Sequence, residues 1–235
     1  MASSNWTALV NSLSQATIDY GVSAGITPPN GGGSFIFGFN SLLTTLGVSA
    51  WYTNQVNFAP TPALKGGAIM GAVQRGVSAG AINFSQFLFI GLQGNSTTDS
   101  GYLLGLGDGS EAAHIVLAKG PPSQSLSDLA PGTAGVLRRS TASYSAGTWL
   151  QLRLDMIVNA NGETRLQVFQ NDLVANSVTS PIWTAIPGMT EFVDDPMGIN
   201  SGTQPFTAGY MGFGVFSKDV QRRSYFDHIV CRRQT

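Results

Sequence analysis

Between residues 149 and 172 the chain reads WLQLRLDMIVNANGETRLQVFQND, apolar and polar side chains alternating almost without a break on both sides of Asn161-Gly162. A period of two sends successive side chains to opposite faces of a strand, so the segment is a half-buried β-hairpin. Its turn sets the register. A two-residue type I′ turn at Asn161-Gly162 would oppose Met156 to Gln167 and Asp155 to Val168, mixing polar and apolar partners on both faces. A three-residue loop, Ala160-Asn161-Gly162, with Gly162 left-handed at a bulge, pairs Met156 with Leu166 and Leu154 with Val168 instead. The opposite face then carries Ile157 beside Arg165, Asp155 beside Gln167 and Arg153 beside Phe169, with Asp155 diagonal to Arg165.

The rest of the chain from about Ser34 repeats this style in short β-like runs divided by Gly, Pro, Asn and Asp: FIFGF (35–39), SAWYTNQVNF (49–58), GAIMGAVQRG (67–76), SQFLFIGLQ (85–93), YLLGLG (102–107), HIVLAKG (114–120), GVLRRST (135–141), GYMGFGVFS (209–217) and SYFDHIVCRR (224–233). No helical stretch separates them, which favours an antiparallel sandwich over a parallel sheet with crossover helices. Two long excursions, one through Pro121, Pro122 and Pro131 and one from Val174 to Ala208, are where a rigid β-scaffold usually carries its binding residues. Before Ser34, Trp6, Leu9, Val10 and Leu13 recur at helical spacing, with Ser4 or Asn5 as a cap, and ITPPNGGGS (26–34) breaks regular structure. The expectation is an all-β domain over 34–235, preceded by a short N-terminal helix and a Pro/Gly linker over 1–33. Two turns of helix are not stable alone, so that segment is expected to dock.

With 11% charged residues and a formal net charge of −1, the chain lacks the field that attracts phosphate backbones or anionic lipid; neither nucleic acid nor a membrane is an expected partner. The single cysteine, Cys231, excludes an intrachain disulfide and reads as a small buried apolar residue. The N-terminal MASSNWTALV has neither a basic leader nor a continuous apolar run, so synthesis without a signal peptide is expected.

Catalytic signals are weak. GVSAG occurs at 21–25 and 76–80 and matches a nucleophile elbow in letters, but Ser23 precedes the Pro/Gly stretch and Ser78 falls in a β-rich region without the required strand-turn-helix context. A glycosidase pair would have to come from carboxyls such as Glu111, Glu163 and Glu191, and Glu163 lies in the hairpin loop. His114 and His228 sit inside β runs; strict alternation places Phe226, His228 and Val230 on one face and Tyr225, Asp227 and Ile229 on the other. No cofactor is expected. Calcium is the one metal considered, through Asp194 and Asp195 in EFVDDPMGINSG, although neighbouring residues on an extended segment point apart. By the same reasoning Arg138-Arg139, Arg222-Arg223 and Arg232-Arg233 read as solvated edges rather than anion clamps, and Trp51, Tyr52, Trp149 and Trp183 as core before sugar platforms.

The motifs WLQLRL (149–154), GYMGFG (209–214) and FDHI (226–229) resemble the late strands of concanavalin A-like lectin/glucanase jelly rolls. The resemblance implies a two-sheet antiparallel jelly-roll sandwich. The E-x-D-x-x-E acid cluster of the glucanase members has no match here, so the resemblance implies a non-enzymatic protein. The low charge and the Ser/Thr/Asn/Gly-rich surface resemble tailed-bacteriophage virion proteins of this class, implying a tail or baseplate component that contacts other virion proteins through its N-terminal segment. Two alternatives stand beside it: a capsid decoration protein, and a module reading host glycans through Arg153, Asp155, Arg165 and Phe169.

Overall fold

The computed structural model describes residues 7–11, 16–21, 27, 29, 34–39, 47–58, 66–75, 84–94, 99–107, 112–121, 135–217 and 223–234, those before 66 chiefly by backbone. Two antiparallel sheets make up the fold. The first runs β1 (Thr7–Asn11), β4 (Gly47–Phe58), β14 (Gly209–Ser217), β6 (Phe84–Leu92), β7 (Gly101–Gly107), β8 (Ala112–Gly120) and β9 (Val136–Ser145), in that spatial order. The second runs β12 (Trp183–Ala185), β11 (Thr164–Asn171), β10 (Trp149–Val158), β5 (Gly66–Arg75), β15 (Arg223–Gln234), β3 (Ser34–Phe39) and β2 (Ala16–Gly21), with β13 (Phe192–Asp194) as a further partner of β11. This is the expected jelly-roll sandwich.

The hairpin has the register its pattern requires: Met156 pairs with Leu166, Leu154 with Val168, Asp155 with Gln167 and Arg153 with Phe169. The Asn159 amide donates to the Glu163 carbonyl at 2.8 Å and closes the three-residue loop, in which Gly162 has φ +84°. Leu152, Leu154, Met156, Leu166 and Val168 join Ile69, Leu88, Ile90, Phe213 and Phe226 in the inter-sheet core. Phe213 from the first sheet and Phe226 from the second touch with ring centroids 5.1 Å apart.

Two expectations are corrected. The N-terminal helix is a strand: β1 pairs with β4 from Thr7↔Tyr52 to Asn11↔Ser49, and the register slips between Ala8 and Val10. That bulge inserts one extra residue at Leu9, so Leu9 and Val10 belong to a bulged strand and not to a helical face; Trp6 and Leu13 lie outside the described residues. Ala16–Gly21 likewise pairs with β3 from Ala16↔Phe39 to Gly21↔Ser34. The second correction is on β15, whose register against β5 slips between Asp227 and Val230, with His228 at φ +51°. Phe226 and Ile229 both belong to the core, so His228 does not share the face of Phe226. Arg232 and Arg233 are exposed, as expected of a solvated edge, and both border one depression.

The outer faces of the two sheets differ. Phe87, Phe89, Leu92, Leu103, Val116 and Ala118 form a second buried apolar cluster in the first sheet, on the strands whose alternate residues fill the main core. The second sheet's outer face instead carries Gln151, Arg153, Asp155, Gln167 and Asn171 across β10 and β11. Chemistry with a soluble ligand has its polar groups there.

Candidate functional site

The outer face of the second sheet is built around Arg153. Its Nε donates to Asp155 Oδ1 at 2.6 Å and its Nη2 to Asp155 Oδ2 at 2.5 Å, a two-bond clasp between residues that share a face because they are two apart on one strand. Asp155 is only 5% exposed, so this charge is tolerated because the guanidinium answers it. The Phe169 ring, directly across the hairpin, lies 5.4 Å from the guanidinium carbon, and the Trp183 ring lies 5.8 Å from it. Two aromatic faces and a carboxylate therefore hold one cation in a single orientation.

The segment after β11 folds back over this face. Gln151 Nε2 donates to the Val178 carbonyl at 2.9 Å, and Asn171 Nδ2 donates to Gln151 Oε1 at 2.7 Å and to the Ser177 carbonyl at 3.2 Å. The Ile182 amide returns to Asn171 Oδ1 at 3.1 Å. These buried amides satisfy a loop backbone that would otherwise lie unpaired against the sheet. Between this loop, the sheet and the end of β15 lies a depression of about 360 Å³. Its lining includes Met70, Arg153, Trp183, His228, Arg232 and Arg233. The β15 bulge supplies the place for His228, since the extra residue lets the chain keep Phe226 and Ile229 inside.

Of the four sugar-binding candidates, Arg153 lines the depression while Asp155 and Phe169 orient it from behind. Arg165 goes elsewhere: its Nε donates to Glu163 Oε1 at 2.8 Å and its Nη1 lies 4.0 Å from Glu191. The Arg165 hydrogen bond holds the Glu163 carboxyl below its usual range. Trp183, assigned to core from sequence, is half-buried at the depression instead. The signal that could have found it is Trp183 standing opposite Asn171 in register, one strand beyond the hairpin.

Asp194 and Asp195 do not converge. Asp194, fully buried, accepts from Tyr102 Oη at 2.5 Å, Lys119 Nζ at 2.7 Å and Ser201 Oγ at 2.5 Å. Lys119 also donates to Ser201 Oγ and the Thr203 and Gln204 carbonyls at 2.7–2.9 Å, and lies 4.9 Å from the Phe206 ring centroid. An ammonium thus sits among oxygens of the loop considered for calcium, tying β8 of one sheet to β13 beside the other. Burial, reinforced by Asp194, pushes the Tyr102 hydroxyl well above its ordinary range. Asp195 instead accepts from the Met197, Ile199 and Asn200 amides, the Asn200 amide foremost in holding its carboxyl low. Among the described residues no group of three or more His, Cys, Asp or Glu converges on a metal position.

The other candidates are dispersed. His114 Nδ1 donates to the Ser140 carbonyl at 2.9 Å, and Cys231 packs half-buried against the core, its thiol pushed up to about 12 by burial. Arg138 lies over the Phe192 ring. Ser23, Ser78 and Glu111 lie outside the described residues, as do the side chains of Trp51 and Tyr52.

No protein-family model matches the chain, and no curated protein matches it. Solved structures do. The VIP36 exoplasmic/lumenal domain, in its Ca2+/Man3GlcNAc-bound form, is similar over 100% of this chain and 86% of its own, with 11% identity and a TM-score of 0.55. The cellulose-induced protein Cip1 is similar over 98% and 92%, with 14% identity and a TM-score of 0.54. The PL-14 alginate lyase from Aplysia kurodai is similar over 94% and 87%, with 10% identity and a TM-score of 0.54. At these identities the likeness is one of fold, the lectin-like jelly roll.

Proposed function

We propose that this protein binds a glycan in the depression on the outer face of the second sheet. The observation that carries the reading is the Arg153 arrangement: a guanidinium locked by Asp155, backed by Phe169, and set beside Trp183 in a depression of about 360 Å³. Sugars are recognised by few directed polar groups around an apolar platform, and pre-ordered side chains lose less entropy on binding. Trp183 supplies the platform and Arg153 the fixed donors. The likeness to VIP36, whose structure holds Man3GlcNAc, is compatible with this reading without assigning the site, since fold alone does not confer function.

Binding rather than turnover is the reading. Glu163 and Glu191, the described glutamates considered for hydrolysis, both face Arg165 instead of lining the depression. A glycan array probed with the intact protein is expected to show a restricted set of ligands, lost in Trp183→Ala. An array with no ligand, or one unchanged in that variant, contradicts it. The setting we propose is the surface of a tailed-phage particle, supported by the sequence resemblance alone; its absence from purified virions by mass spectrometry would remove that setting.

A further inference from the structure

We propose that the sugar unit held in this depression is anionic, carrying a carboxylate or a sulfate. The inference rests on the glycan-binding reading above and adds the ligand's charge. In a chain with only 12 Lys and Arg, three arginines, Arg153, Arg232 and Arg233, line this one depression together with His228, and among the described residues no Asp or Glu lines it. Asp155 lies close by, and both of its oxygens are engaged by Arg153. Arg232 is exposed at the rim and holds no ion pair among the described residues.

The position of Arg232 follows from register. It pairs with Ala68 on β5, and Ala68 pairs with Asp155 on β10, so Arg232 stands two strands from Asp155 on the same row. Arg153 pairs with Met70 in the next outward row. Ala68 and Met70 form a low apolar floor between the two arginines, both lining the depression. A guanidinium presents paired N–H donors in a fixed fork that matches the two oxygens of a carboxylate or sulfate. A concave site lined by one sign of charge concentrates counter-ions of the opposite sign. The floor and Trp183 accept the apolar face of a pyranose ring, while the arginines take its acidic substituent. A neutral sugar would leave Arg232 without a charged partner.

The test measures binding of the intact protein to carboxylated polymers (polygalacturonate, alginate, hyaluronate), to dextran sulfate, and to neutral methyl-esterified pectin and dextran, at 50 and 500 mM NaCl. At least one acidic class is expected to bind, about tenfold or more above its neutral counterpart, and to weaken with salt because the rim charge is screened. Preference between the carboxylated and sulfated arms identifies the substituent. Arg232→Ala/Arg233→Ala is expected to reduce that binding at least about tenfold, Arg232→Lys less than Arg232→Ala because the charge is kept, and Arg138→Ala not at all. Near-UV circular dichroism confirms that each variant is folded. Binding of neutral polymers that equals the acidic ones, or acidic binding untouched by Arg232→Ala/Arg233→Ala, overturns the anionic inference and leaves glycan binding standing. Binding to none of the polymers, together with an empty glycan array, overturns both.

Discussion

Arg153 and Asp155, two residues apart on β10, clasp each other through parallel bonds of 2.6 and 2.5 Å, and the arginine of that pair faces the depression. The carboxylate orients the guanidinium instead of meeting the ligand. Asp155→Asn keeps the shape but removes the charge and one acceptor. It is expected to cost about 1–3 kcal/mol in urea unfolding, the range for a partly buried charged hydrogen bond. Arg153 would then sample other rotamers, and ligand affinity is expected to fall although Asp155 lines no part of the depression.

Lys119 and Asp194 form another buried ion pair, and their account separates pairing from burial. Lys119→Met strands a fully buried carboxylate and is expected to destabilise the fold by about 3–5 kcal/mol. Lys119→Met/Asp194→Leu removes both charges, so its cost is expected to be well below the sum of the two single variants in a denaturation cycle. Additive costs would show that the pair is not coupled.

Tyr102 makes the fold sensitive to alkali. Its hydroxyl is raised above the ordinary 10.0 by burial and by Asp194, so the folded protein keeps a proton that the unfolded chain loses. That contribution is fully present below about pH 10 and is lost as pH rises further, because the folded state then binds more protons than the unfolded one. Stability measured by urea from pH 8 upward is expected to be level and then to fall. Tyr102→Phe is expected to be less stable at pH 8, having lost the bonds to Asp194 and the Phe206 amide, but to show a shallower alkaline decline.

Gly162 tests the hairpin turn. At φ +84° with open space where a Cβ would stand, its replacement is resisted by backbone conformation rather than by a clash. Gly162→Ala is expected to cost about 1 kcal/mol and Gly162→Asn less, since asparagine tolerates the left-handed region better. Equal, negligible costs in thermal melts would argue that the loop relaxes freely.

Much of the sandwich was legible because the period of two is strict wherever one face is buried. A slip of one residue would have sent Leu154 and Met156 to the outer face, so the hairpin's register follows from its own pattern. What misled were the bulges. The slip near Leu9 sets two apolar neighbours in succession inside a strand, which read as part of a helical face, and the one near His228 broke the alternation that placed it with Phe226. The site was half legible for a related reason. Arg153, Asp155 and Phe169 announce themselves by cross-strand pairing, whereas Trp183 and Arg232 come from other segments whose return to this face no local pattern encodes. Gln151 and Asn171 appeared as ordinary polar positions because nothing in the hairpin records that the 172–182 loop lies over them.

The most direct test of the central claim is hydrogen exchange with and without a saturating glycan ligand. Protection is expected in β10, β11 and the 177–183 segment, whose amides lie around Arg153 and Trp183, and in the end of β15. Protection confined to β6, β7 and β8 of the opposite sheet, with the 177–183 segment unchanged, would contradict the account.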